Sequence, residues 1–148
     1  MFGGIGRALS HRDYLLYWSS NGINTIGRWI YRIAVGWLTW ELTESTTWLG
    51  IIAFAESFPL VVFSVLAGAI ADRVGYIRIT LLAQTATAIV AAAFAAMTLA
   101  GVITIELVLV SALLIGSLES LTTPARMALV HALVPKQDLA PAIALGSA

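Results

Sequence analysis

Polar and charged residues gather at a few places along this chain, and long apolar runs separate them. One run extends from about Tyr14 to Trp40, a second from about Thr47 to Ala71 and a third from about Tyr76 to Ala100. A fourth begins near Thr104 and fades after Pro124. Each holds the ~20 residues that an α-helix, rising 1.5 Å per residue, needs to cross ~30 Å of hydrocarbon. The alternation of polar and apolar residues that marks a membrane β-barrel is absent, and a closed barrel is the other way to span a bilayer. The pattern predicts an all-α membrane protein of four transmembrane helices (14–40, 47–71, 76–100 and 104–124).

The connections fit an antiparallel bundle. Leu42–Thr46 reads as a tight hairpin in which Ser45 or Thr46 caps the second helix. Gly75 falls at the tip of the next turn, and Gly101 closes the third helix in the manner of a C-terminal glycine. Pro59, inside the second span, predicts a kink that bundled membrane helices tolerate. Pro124 and Pro135 bracket an amphipathic stretch, so residues 125–137 read as an interfacial segment. Asp138 then caps a fifth helix, 138–148, with Pro141 in its first turn. That helix has no terminal charge and no polar exit, and the chain reads as a truncated one.

Composition sharpens this picture. The chain is 59% hydrophobic and 11% charged, about half the charged fraction of a soluble domain. Its formal net charge is zero, which gives no electrostatic basis for binding nucleic acid. There is no cysteine, and the motifs of zinc proteases, serine hydrolases and P-loop proteins are missing. The sequence therefore predicts neither an enzyme nor a cofactor or metal site. His11 and His131 read as separate interfacial residues. Arg7, Arg12, Arg73, Arg78, Arg126 and Lys136 all flank one side of the predicted bundle, whereas the Leu42–Thr46 turn and Glu106 are acidic. Positive residues stay inside, which places the amino terminus in the cytoplasm of a multi-pass inner-membrane protein.

Four ionisable residues fall within the spans: Arg28, Arg32, Glu56 and Glu119. Each costs about 2.5–3.5 kcal/mol at mid-helix on insertion scales, so two positive and two negative charges predict pairing inside the bundle. Asn21, Thr25, Arg28, Arg32 and Thr39 recur at helical spacing, and a polar stripe on a membrane helix faces protein or a water-filled cavity. Two readings follow. The stripe lines a substrate path, with Trp29 beside Arg28 as an aromatic and cationic contact and Glu56 or Glu119 as proton carriers. Alternatively, the charges form a permanent structural network. Small residues at spacing four, Ala83/Thr87/Ala91/Ala95 and Ala88/Ala92/Ala96/Ala100 in the third span and Ala112/Gly116/Ser120 in the fourth, read as close helix packing.

Gly68–Arg78 reads GAIADRVGYIR. It resembles the loop between the second and third helices of major facilitator transporters, roughly G-x-x-x-D-R-x-G-R-R. The usual basic pair after the second glycine is Tyr76 and Ile77 here, with Arg78 next. Trp37–Leu49 (WLTWELTESTTWL) and Pro124–Asp138 (PARMALVHALVPKQD) are similar to segments of the enterobactin-exporter-like and macrolide-efflux-like branch. The resemblance implies the amino-terminal part of a twelve-helix fold in two pseudo-symmetric halves, working by alternating access. It implies that Gly68, Asp72, Arg73, Gly75 and Arg78 form a conformational-switch loop against the missing carboxy-terminal part, and that the first and fourth helices line the cavity. The function expected is proton-coupled efflux of amphipathic small molecules, such as a drug or siderophore, with lipid, substrate and protons as partners. The alternative is a self-contained four-helix membrane protein with a structural or oligomerising role.

Overall fold

The computed structural model describes residues 12–133. Among them are four helices and no strand: α1 (Arg12–Thr43), α2 (Thr46–Val74), α3 (Tyr76–Leu99) and α4 (Ile105–Leu133). The described residues divide into two compact units, one holding those up to Ile30 and from Arg126 on, the other Tyr31–Ala125. The proposed fifth helix at 138–148, with Asp138 and Pro141, lies outside the described residues, as do His11 and Lys136.

α2, α3 and α4 each contain a stretch long and apolar enough to cross a membrane, Thr46–Phe63, Tyr76–Leu99 and Ile105–Thr123. α1 has the length, but Asn21, Asn24, Arg28 and Arg32 keep it less apolar than the other three. Only 17% of the α2 stretch is buried by the rest of the chain. Phe54, Phe58, Val61 and Leu66 of α2 present their side chains outward, as a helix does whose solvent on that side is lipid.

The turns show how little chain a membrane hairpin needs. α1 ends at Thr43, and Glu44 takes the left-handed conformation with φ 46°, its N–H reaching the Trp40 carbonyl at 2.7 Å. Ser45 occupies the N-cap position of α2 in extended geometry, but its side chain makes no capping hydrogen bond. The Thr43 hydroxyl instead accepts the Ser45 N–H at 3.3 Å. Gly75 alone separates α2 from α3, at φ 94° and ψ 132°, a region open essentially to glycine. Most of the GAIADRVGYIR stretch is therefore helical. α3 ends in a Schellman arrangement: Gly101, at φ 70°, donates to Thr98 O, and Val102 donates to Met97 O.

α4 runs without interruption through Pro124 to Leu133, where the hydropathy pattern has the span fading. Proline removes one backbone donor, the one that would reach the Ser120 carbonyl in a regular α-helix. Thr122 and Thr123 both donate to the Glu119 carbonyl, at 3.1 and 2.9 Å.

Within the Tyr31–Ala125 unit the core is Val35 of α1, Ile52 and Ala55 of α2, Phe94 of α3, and Val108 and Ala112 of α4. A smaller cluster of Ala71, Ile79 and Leu121 packs below the Gly75 turn. The small-residue stripe of α4 lies at the centre: Ala112, Gly116 and Ser120 are all buried. On α3, Ala83 is buried and Thr87 and Ala91 partly so, whereas Ala88, Ala92, Ala96 and Ala100 are exposed. Among the described residues no helix packs over that second stripe.

Candidate functional site

The polar feature at the heart of the Tyr31–Ala125 unit is an ion pair between α1 and α2. Arg32 Nε donates to Glu56 Oε1 at 2.8 Å. The two side chains differ in accessibility: Arg32 is 44% exposed and Glu56 13%. The Glu119 carboxylate of α4 adds electrostatic attraction at Arg32. Pairing of this kind reduces the cost of placing either charge in a membrane-spanning bundle.

The pair borders a groove of about 360 Å³ between α1 and α2. Besides the pair, its lining includes Val35, Thr39, Leu49, Ile52 and Ser57. The Thr39 hydroxyl donates to Val35 O at 2.7 Å, and the Ser57 hydroxyl donates to Ala53 O at 2.9 Å. Both protons are thus committed to the residue's own helix.

Glu56 is held from behind by its backbone. A Cβ built on Gly116 of α4 would stand 2.9 Å from the Glu56 carbonyl carbon and 3.2 Å from its Cα, with the carbonyl oxygen nearer still. Only a hydrogen fits there, so α4 touches the main chain of α2 at the residue that carries the paired carboxylate.

Tyr31 forms a second junction one residue before Arg32. Its hydroxyl lies 3.1 Å from Ser111 Oγ of α4. Ser111 donates its own proton to Val108 O at 2.8 Å, which leaves Tyr31 as the donor. Its ring meets Phe94 of α3 edge to face, with centroids 5.6 Å apart. α1 is therefore fastened to α3 and α4 beside the ion pair.

Of the residues singled out in the sequence, Arg32 and Glu56 come together at the groove, Glu119 adds its charge to theirs, and Thr39 lines the wall. Asn21, Thr25, Arg28 and Trp29 belong to the other unit. There Thr25 donates to Asn21 O at 2.9 Å, Arg28 is half-buried and Trp29 is 60% exposed. Gly68 and Asp72 lie in the last turns of α2, and Arg73, Gly75 and Arg78 are exposed around the turn. A Cβ on Gly68 would meet nothing within 4 Å. Tyr31, Ser111 and Ser57 were not legible as site residues. An aromatic hydroxyl one step from an intramembrane arginine is the signal that points to Tyr31.

Comparison with known proteins agrees with this architecture. The chain is 29% identical over 132 residues to the Staphyloferrin A transporter of Staphylococcus aureus (strain NCTC 8325 / PS 47), a match covering 88% of this chain and 33% of that protein. The chain thus spans about a third of the length of that relative. No solved structure matches it. The family described as transmembrane secretion effector matches residues 7–148, nearly the whole chain, and the chain belongs to that family within the major facilitator superfamily.

Proposed function

We propose that this chain is the amino-terminal part of a secondary active transporter that exports amphipathic small molecules across the cell inner membrane by alternating access. Coupling is to protons, with the amino terminus in the cytoplasm. The observation that carries the reading is the Arg32–Glu56 pair bordering an open groove between two helices of the bundle. A purely structural pair has no need of a groove beside it. Family membership and the name of the Staphylococcus aureus relative support transport of a small molecule. A groove of about 360 Å³ is at the small end of ligand-sized pockets.

In this proposal a proton taken up by Glu56 cancels its charge and releases Arg32, weakening the tie between α1 and α2 as the cavity changes its exposure. Glu119 is the second candidate carrier, placed to hold Arg32 when Glu56 is neutral. Asn21, Thr25, Arg28 and Trp29 are the substrate-contact candidates of the other unit. Gly68, Asp72, Arg73, Gly75 and Arg78 form the switch loop, and the open space over Gly68 leaves room for a helix from the other half of the transporter.

The test uses the product of the whole reading frame in membrane vesicles, with efflux of fluorescent amphipathic probes driven by an imposed pH gradient. Glu56→Gln is expected to lower pH-driven efflux at least about tenfold while leaving membrane insertion unchanged. Wild-type efflux in that variant would remove Glu56 from the mechanism.

A further inference from the structure

The groove is selective in the hydrogen-bonding groups it offers. Arg32 uses only Nε on Glu56. Among the described residues its Nη1 and Nη2 atoms have no hydrogen-bond partner, and the side chain is 44% exposed. Thr39 and Ser57 have already donated their hydroxyl protons to Val35 O and Ala53 O. The groove walls are helical, so their backbone N–H groups are committed as well. The guanidinium fork of Arg32 is therefore the side-chain donor that this groove presents to a ligand, set among Val35, Leu49 and Ile52.

A planar fork of N–H groups beside apolar side chains matches a planar oxyanion, because two parallel hydrogen bonds form and the charges compensate. An ammonium group meets the positive charge of Arg32, and of the Glu56 carboxylate only Oε2 is left to it, since Nε holds Oε1. We infer that the groove binds an amphipathic carboxylate, its oxyanion on Arg32 Nη1 and Nη2 and its apolar body against Val35, Leu49 and Ile52. Calling this ligand the transported substrate rests on the transporter reading, whereas its binding does not.

The experiment compares three fluorescent probes with one shared body: dansylglycine (carboxylate), dansylglycinamide (neutral) and dansylcadaverine (cationic). Each is titrated against the purified whole-frame protein in detergent. Dansylglycine is expected to bind at least about tenfold more tightly than either of the others. Arg32→Gln is expected to abolish that preference, and Arg32→Lys to reduce it, since an ammonium keeps the charge but loses the fork. Because Arg32→Gln leaves Glu56 unpaired and risks misfolding, the double variant Arg32→Gln/Glu56→Gln removes both charges together and is also expected to lose the preference. Equal or tighter binding of the amide or the amine overturns the inference. So does a preference that survives in a folded Arg32→Gln or double variant, or wild-type protein that binds no dansylglycine. Binding that follows these expectations without efflux of dansylglycine from vesicles supports the carboxylate site and counts against transport.

Discussion

Gly116→Ala tests the central contact of this bundle. The added methyl would lie 2.9 Å from the Glu56 carbonyl carbon and 3.2 Å from its Cα. Ordinary carbon–carbon contact begins at about 3.5 Å, so α4 and α2 must separate by more than half an ångström. Nothing flexible can give way, because the atoms met are backbone. Overpacking costs about 1–3 kcal/mol, and a rigid neighbour puts this site at the upper end. Replacing glycine by alanine within a helix offsets up to about 1 kcal/mol of that. The net expected loss is about 2 kcal/mol, roughly a thirtyfold shift toward unfolded protein. Gly50→Ala in α2 is the matched control, since a Cβ there meets nothing within 4 Å and only the helix gain remains. The assay is reversible unfolding in mixed micelles titrated with a denaturing detergent, followed by tryptophan fluorescence. Gly116→Ala as stable as wild type, or displaced no further than Gly50→Ala, would refute the claim that α4 closes on the Glu56 backbone.

Two further outcomes follow from local geometry. Gly75→Ala forces a Cβ onto a backbone at φ 94° and ψ 132°, and should cost on the order of 1–3 kcal/mol in the same unfolding assay, with no loss if the turn is looser than described. Tyr31→Phe removes the hydrogen bond to Ser111 but keeps the ring against Phe94. It should destabilise by about 0.5–1.5 kcal/mol, and an equal loss in Tyr31→Phe and Tyr31→Ala would show that the ring contact contributes nothing.

Apolar run length made the helices legible, because hydrocarbon thickness sets how much chain must be apolar. The pairing of opposite charges was legible for the same reason: an isolated charge at mid-membrane is too costly. Which charges pair was not. Arg32 reaches Glu56 because α1 and α2 pack with those faces opposed, and helix rotation depends on contacts across the whole bundle. Gly116 could be read as a packing residue from its spacing with Ala112 and Ser120, but its partner, a carbonyl on α2, leaves no trace in residue type. The Tyr31–Ser111 bond joins residues 80 positions apart and is equally silent. Ser45 has the composition of a cap and occupies the N-cap position of α2, yet its side chain makes no capping hydrogen bond. Pro124 reads as a helix end, yet α4 continues through it to Leu133, as helices in a membrane bundle tolerate proline.

Glu56 is joined to its neighbours by two contacts of different physical kinds. Its carboxylate meets Arg32 of α1 through charge and a hydrogen bond, which protonation weakens. Its backbone meets Gly116 of α4 through steric fit, which no change of charge alters. A proton arriving at Glu56 would therefore loosen α2 from α1 without loosening α2 from α4. The Tyr31 links to Ser111 and Phe94 do not run through the Glu56 side chain, so α1 would stay fastened to α3 and α4 at one end of its contact while the groove side relaxes. On the proposed function, this asymmetry converts a change of one charge into motion on a defined side of the bundle. A bundle held only by ion pairs would come apart when one is neutralised. A bundle held only by packing would not respond to a proton.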